Sequence, residues 1–283
     1  MLQLGIRLHD VNATAGEKTM EARAAKAREE GFSCVHLAYQ KVMAGVSFDD
    51  AALNEGLASY TRRVFREQGL DIAVLGCYLN LAHPDPVELQ KIKSRYFGHL
   101  RVAALAGCSV VGTETGAPNA QYKLDGNTHS REALDTFIRN LAEVVEQAEH
   151  WGVSMAIEPV WSHIVYNADR AVEVLSAIKS PNLRIILDPV NLLCLDNADN
   201  RETIFQDAFE KLQDHIAVVH LKDFVRREGR LVSVAPGAGE MNYEHLLRLL
   251  KTGKPFVQAT LENTSNENAV QAKELLRRVY EQV

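Results

Sequence analysis

No two cysteines in this 283-residue chain form a CxxC pair. The four present, Cys34, Cys77, Cys108 and Cys194, are scattered, and three of them sit in apolar, strand-like surroundings. That pattern argues against a disulfide framework or a thiolate zinc site, and leaves buried free thiols in a reducing cytoplasm as the expectation. An excess of positive charge is also missing: 31 Lys and Arg face 37 Asp and Glu, a formal net charge of −6. Neutralising a phosphate backbone takes clustered basic residues, so nucleic acid is not an expected partner. No apolar run approaches the roughly 20 residues that span a bilayer. The opening MLQLGIRLHD has no basic stretch leading into an apolar one, so neither membrane attachment nor a signal peptide is expected. The first strand-like run is not followed by G-x-G-x-x-G, which disfavours a dinucleotide-binding open sheet.

What is present is a regular alternation. Hydrophobic residues make up 46% and charged residues 24%, an ordinary soluble composition with enough apolar mass for a large core. Short runs that are apolar on both faces occur at 2–8, 33–37, 71–77, 109–113, 153–157, 183–187, 216–220 and 255–261. Such runs suit parallel strands covered on both sides. Helical spacing fills the gaps, most clearly at 130–150, where Leu134, Phe137, Ile138, Leu141, Val144, Val145 and Ala148 recur every three or four residues. Gly152 marks that helix's end. DPVE at 85–88 combines an Asp cap, a Pro at the first helical position and a Glu at the third. The chain closes on an amphipathic helix. Eight strand–helix units without a break in composition predict an α/β fold, a (β/α)8 TIM barrel forming a single domain over 1–283. The longest excursions, 38–47 and 114–129, follow strands, where active-site loops lie.

Catalytic side chains of such barrels gather at the C-terminal ends of strands. The last four strands end in MAIEPV, IILDPVN, AVVHLKD and QATLEN, which places Glu158, Asp188, His220 and Glu262 at one mouth. Three carboxylates brought together repel one another unless protonated or neutralised by a cation. An oxygen-rich set with one imidazole suits one divalent ion, manganese first, then magnesium or cobalt, with zinc still open.

The motifs IEP, LDPVN, HLKD and LEN resemble those of the xylose isomerase-like barrel superfamily, which includes sugar isomerases and epimerases, inosose dehydratase and endonuclease IV. The likeness extends over the strand order of the whole chain, but its specific motifs lie in the C-terminal half. It is nearest the ketose 3-epimerase and sugar-phosphate isomerase/epimerase branch. The resemblance implies that Glu158, Asp188, His220 and Glu262 hold the metal, that Glu158 and Glu262 are the acid/base pair, and that Arg226, six residues after the metal His, contacts substrate. PGAGEMNYEHLL matches a common Pro-Gly-x-Gly turn of the family. One position departs: where the epimerases place a substrate-contacting His, three residues after the metal Asp, this chain has Asn191. Endonuclease IV, with more His ligands and a DNA-binding surface, is a poor match.

The expected reaction is isomerisation or epimerisation through an enediolate, with removal and return of a proton beside a carbonyl. A dehydratase or lyase acting on a keto-sugar or inosose is the alternative, and a non-catalytic metal- and sugar-binding barrel is the remaining class. The expected partner is a small sugar or sugar derivative, with self-association left open. Asp223 is expected to orient His220 or a neighbouring ligand. Lys222 is expected to face away and pair with an acid. Glu114, Trp161 and His163 are the better candidates for a sugar pocket, and His9, His36, Tyr39, Tyr78 and Asn80 the weaker ones. His83 and His215 are expected to be structural. With Asn191 neutral, the expected substrate differs from free D-psicose or D-tagatose, being a keto- or carboxyl-bearing sugar or cyclitol whose oxidised end meets Arg226.

Overall fold

Short strands alternate with helices throughout the computed structural model, which describes residues 2–11 and 19–283. In chain order the elements are β1 (Gln3–Arg7), α1 (Met20–Glu29), β2 (Cys34–Leu37), α2 (Tyr39–Val42), α3 (Glu55–Gln68), β3 (Asp71–Gly76), α4 (Pro86–Ala106) and β4 (Val110–Glu114). There follow α5 (Arg131–Trp151), β5 (Ser154–Glu158), α6 (Ala168–Ala177), β6 (Leu183–Leu187), α7 (Arg201–Leu212) and β7 (Ile216–Leu221). The chain finishes with β8 (Asp223–Arg227), β9 (Arg230–Val234), α8 (Tyr243–Gly253), β10 (Gln258–Leu261) and α9 (Ala269–Gln282). β1 to β7 and β10 pair in parallel and close into a barrel, with β10 joining β7 to β1. All eight expected strands are present, and the fold is the expected TIM barrel.

Local chemistry explains the boundaries. Ser130 accepts the Ala133 N–H at 3.1 Å and opens α5, and Gly152, in the left-handed region at φ 66°, closes it. Asp85 accepts the N–H groups of Val87 and Glu88 at 2.8 and 3.1 Å, just ahead of Pro86. Inside the barrel, Val74, Val110, Ala156, Ile186 and Val218 form a compact layer. Gly112 belongs there because a Cβ on it would come within 2.6 Å of both Ile186 Cδ1 and Val74 Cγ2.

The β8–β9 hairpin is not among the elements read from the sequence. It interrupts the strand–helix rhythm after β7, and its two strands pair antiparallel from Asp223 opposite Val234 to Arg227 opposite Arg230. Glu228 and Gly229 carry φ of 49° and 70°, the conformation that a two-residue hairpin turn requires. The Glu-Gly dipeptide between RR and RLVSV was the available signal.

Cys34, Cys77 and Cys108 are buried, Cys194 is half-buried, and all four are free thiols. Burial pushes the Cys108 thiol up to about 11, so it is inert at neutral pH. Among the described residues no helix is long and apolar enough to cross a membrane.

Candidate metal centre and active site

Strand alternation builds the site. Val218 on β7 faces the barrel interior, so His220 and then Lys222 share its face. The same parity carries Val110 to Glu114 on β4, Ala156 to Glu158 on β5 and Ile186 to Asp188 just beyond β6. Each side chain thus stands above the apolar layer at the C-terminal mouth. Arg7, His9, His36, Ala38, Lys41, Tyr78, Glu114, Glu158, Asn191, Lys222 and Glu262 line a cavity of about 380 Å³ there.

His220 is the centre of the constellation. Its Nδ1 lies 3.3 Å from Glu158 Oε1 and 3.4 Å from Glu262 Oε1. Ligand atoms of Glu158, Asp188 and His220 lie within 4.8 Å of one another, as do those of His36, His220 and Glu262. All of these residues are buried. Three of their atoms, His36 Nδ1, Asp188 Oδ2 and His220 Nε2, have no hydrogen-bond partner among the described residues.

Each carboxylate is held differently. Asn191 Nδ2 donates to Glu158 Oε1 at 2.6 Å. Asp188 Oδ1 accepts the N–H groups of Val190 and Asn191 at 2.9 and 3.2 Å, which aims Oδ2 into the site. Glu262 Oε2 meets Arg7 Nη1 at 3.3 Å and Lys222 Nζ at 3.5 Å, and its Oε1 meets His36 Nδ1 at 3.5 Å. Arg7 is itself fixed by Asp10, at 3.0 and 3.1 Å. The His36 ring lies parallel to His220 at 5.0 Å, and its Nε2 is 2.9 Å from the Tyr78 hydroxyl.

These contacts sort the acids. Burial alone would raise Glu262, but His220, Lys222 and Arg7 outweigh it and hold the carboxyl well below the usual range. Glu158 is likewise lowered, with burial overcome by His220. Burial, reinforced by Glu158 and Glu262, raises Asp188 to about 6 against the pull of Lys222. Burial and the neighbouring Glu158 raise Glu114 to about 7. His220 is pushed up to about 9, because Glu262 and Glu158 outweigh its burial.

Of the candidates read from the sequence, Glu158, Asp188, His220 and Glu262 come together, with Asn191 and Glu114 on the cavity wall. His163 stands behind Glu114, its Nδ1 3.8 Å from Glu114 Oε2, and burial holds it neutral, at about 4. His9, His36 and Tyr78 reach the cavity, but Tyr39 is buried elsewhere against Thr61 and Asn80 holds the carbonyls of Ala117 and Asn119.

Four expectations need correction. Arg226 is not in the cavity: it lies on the hairpin, 38% exposed, against Asp199 and 3.7 Å from Glu240. Trp161 lines a separate groove of about 470 Å³ with Tyr166 and Leu192. Asp223 does not orient His220. Fully buried, it accepts the N–H groups of Phe224, Gly237 and Met241 at 2.8, 3.1 and 2.9 Å, tying the hairpin to the loop that follows. Lys222 does pair with an acid, but it faces inward, 7% exposed, and lies 2.8 Å from Asp188 Oδ2. Period-two alternation from His220 was the signal for Lys222, and the same reasoning along β1 would have found Arg7, the one residue beside Glu262 that the sequence reading did not name.

A profile of the xylose isomerase-like TIM barrel family matches residues 24–280. No curated protein matches the sequence. Among solved structures, a D-tagatose 3-epimerase-like protein superposes with a TM-score of 0.75 at 20% identity, over 99% of this chain and 98% of that one. The IOLI protein with a bound zinc atom gives 0.73 at 16% identity, over 99% and 98%. The 3-keto-D-glucoside 4-epimerase YcjR from E. coli gives 0.72 at 15% identity, over 98% and 100%. At these identities the likeness is one of fold. With the profile spanning nearly the whole barrel, this chain belongs to the xylose isomerase-like TIM barrel family.

Proposed function

We propose that this protein is a divalent-metal-dependent sugar isomerase or epimerase that moves a proton at the carbon beside a carbonyl. The observation that carries the reading is the position of His220, with Glu158 Oε1 and Glu262 Oε1 both within 3.4 Å of one ring nitrogen. The donor set fits a cation: a ring nitrogen and carboxylate oxygens converge in a buried pocket, and His220 Nε2 has no hydrogen-bond partner among the described residues. Glu158, Asp188, His220 and Glu262 would hold the ion, and oxygen-rich ligation favours manganese, magnesium or cobalt. Bound there, it would offset the carboxylate charge and polarise a substrate carbonyl.

The remaining work falls to the chain's own groups. Glu158 and Glu262, both held toward the ionised form, are the proton acceptors. One removes the proton from the carbon, and the other, after taking up a proton from solvent water, delivers it from the far side. Asn191 fixes the reacting oxygen of Glu158, while Arg7 and His36 fix Glu262. Glu114, on the cavity wall, meets a substrate hydroxyl, and His163 backs it. Return to the same carbon gives an epimer, and return to the neighbouring carbon gives an aldose–ketose isomer.

The substrate class we favour is a keto- or carboxyl-bearing sugar or cyclitol. Asn191 supports this choice, because its amide is committed to Glu158 and adds no positive charge for a free ketose hydroxyl. Arg7 and Lys41 bring positive charge to the cavity wall, and we assign to them the role expected of Arg226. YcjR, whose name specifies a 3-keto-glucoside, shares the fold. Four free thiols suit a reducing compartment, and the cytoplasm is the location we favour.

The test is turnover in deuterated water. Manganese-loaded protein is incubated with free ketoses, keto-sugars, inososes and sugar acids. Deuterium is expected at the carbon beside the carbonyl of a keto- or carboxyl-bearing member. Conversion without deuterium would point to a hydride shift and contradict the two-glutamate reading, and loss of water from the product would make the protein a dehydratase.

A further inference from the structure

Lys222 is absorbed by neither the ligand set nor the acid/base pair, yet it stands inside the site. Its backbone is pinned from outside the barrel, where the Tyr243 hydroxyl on α8 donates to the Lys222 carbonyl at 2.9 Å. Strand alternation then turns the side chain inward, over His220. Its Nζ lies 2.8 Å from Asp188 Oδ2 and 3.5 Å from Glu262 Oε2. At 2.8 Å the ammonium is in close ionic contact with Oδ2, the Asp188 oxygen that faces the site. The ammonium therefore touches two of the four residues assigned above to the divalent ion.

We infer that Lys222 is a positioning residue, a resident cation that holds Asp188 and Glu262 in place and weakens the hold on the divalent ion by like-charge repulsion; this rests on the metal reading above. Four acids, Glu114, Glu158, Asp188 and Glu262, crowd the mouth, and without a nearby cation they would push one another apart. A lysine supplies that charge in the metal-free protein, so the ligands are already arranged when the ion arrives. Once the ion is in place, a unit charge and a double charge share the same carboxylates a few ångströms apart. Even under strong screening, such a repulsion changes affinity by roughly tenfold or more. The ion would then be exchangeable rather than locked in. The sign separates this role from plain packing: a lysine that only shaped the pocket would, when removed, loosen the ligands and weaken binding.

The experiment is calorimetric titration of the metal-stripped full chain with Mn²⁺, for wild type and for Lys222→Met, Lys222→Gln and Lys222→Arg, with circular dichroism to confirm folding. The Met and Gln variants are expected to bind Mn²⁺ roughly tenfold or more tightly than wild type, and the Arg variant with about wild-type affinity. Metal-free Lys222→Met should melt below metal-free wild type and gain more from added Mn²⁺. Equal or weaker binding by folded Met and Gln variants would overturn the inference alone. Failure of folded wild type to bind Mn²⁺ would overturn both the inference and the metal reading. Failure of both neutral variants to fold even with Mn²⁺ present would also overturn it, since the ion should replace the missing charge.

Discussion

The imidazoles of His36 and His220 lie stacked, 5.0 Å apart and 9° from parallel, and the Nδ1 of each approaches the same atom, Glu262 Oε1, at 3.5 and 3.4 Å. One glutamate oxygen is thereby fixed by rings from β2 and β7, on either side of β1 and β10 in the closed barrel. Groups that orient a metal ligand typically contribute tenfold to a hundredfold in metal affinity or activity. His36→Ala should lower Mn²⁺ affinity and turnover by about that factor, with the fold retained. Full activity in this variant would mean that Glu262 needs no such support.

Glu158→Gln and Glu262→Gln should each reduce turnover by about 10²–10⁴-fold, because an amide cannot take up a proton. Their circular dichroism should match wild type. A steady-state assay with the substrate identified in deuterated water gives the measurement, and near-normal rates in either variant would remove that residue from the proton path.

Asn191→Ala takes a 2.6 Å donor from Glu158 Oε1. A hydrogen bond to a carboxylate favours its charged form, so the acidic limb of the rate–pH profile should move to higher pH. The loss of one charge-assisted bond is worth roughly tenfold or more in rate. Asn191→Asp should move the limb further in the same direction, since it adds a like charge. An unmoved limb in both variants would show that the Asn191 contact does not tune Glu158.

Asp223→Ala should destabilise without touching the cavity. It leaves the buried N–H groups of Phe224, Gly237 and Met241 without their acceptor. At about 1–3 kcal/mol for each unsatisfied group, the cost is several kcal/mol, visible as a clear fall in urea midpoint. Metal affinity should change far less than in His36→Ala, and the reverse order would return Asp223 to the metal site.

The metal-free protein should be most stable near pH 6.5. His99 is buried and held at about 4 by burial, so the unfolded chain takes up a proton that the folded one refuses. Its contribution is full above pH 6.5 and declines as pH falls toward 4, by roughly 3 kcal/mol at most. His220 has the opposite sign. Raised to about 9, it contributes fully below pH 6.5 and that contribution is lost as pH rises through 9. Urea titrations with a chelator present, from pH 4 to 10, test both limbs. His99→Phe should make the acid limb shallower, with His163 still contributing to it, and His220→Gln should flatten the alkaline one.

Much of this was legible in the sequence, for physical reasons. A parallel strand covered on both faces must be apolar throughout, so a polar residue following it marks the strand's end, and four such ends gave Glu158, Asp188, His220 and Glu262. The same alternation, counted two residues on from His220, places Lys222 on the inward face, whereas the expectation had it facing away. Arg226 was carried from a family pattern that counts residues from the metal His. The Glu228–Gly229 turn folds that segment back as a hairpin, where Asp199 and Glu240 receive the arginine. Trp161 follows Glu158 by three residues in a loop, and no periodicity fixes the direction of a loop side chain. His36 was named only as a pocket candidate, and its contact with Glu262, like that of Arg7, arises because barrel closure sets β1 between β10 and β2.

The most direct measurement is anomalous diffraction at the manganese edge from crystals grown with Mn²⁺. One peak is expected at the barrel mouth, about 2.0–2.6 Å from carboxylate oxygens of Glu158, Asp188 and Glu262, with a ring nitrogen of His220 also bonded to it. The peak should vanish in Asp188→Ala crystals grown the same way. No peak at the mouth, or one held by other side chains while these four stand free, would contradict the metal-centred reading of this barrel.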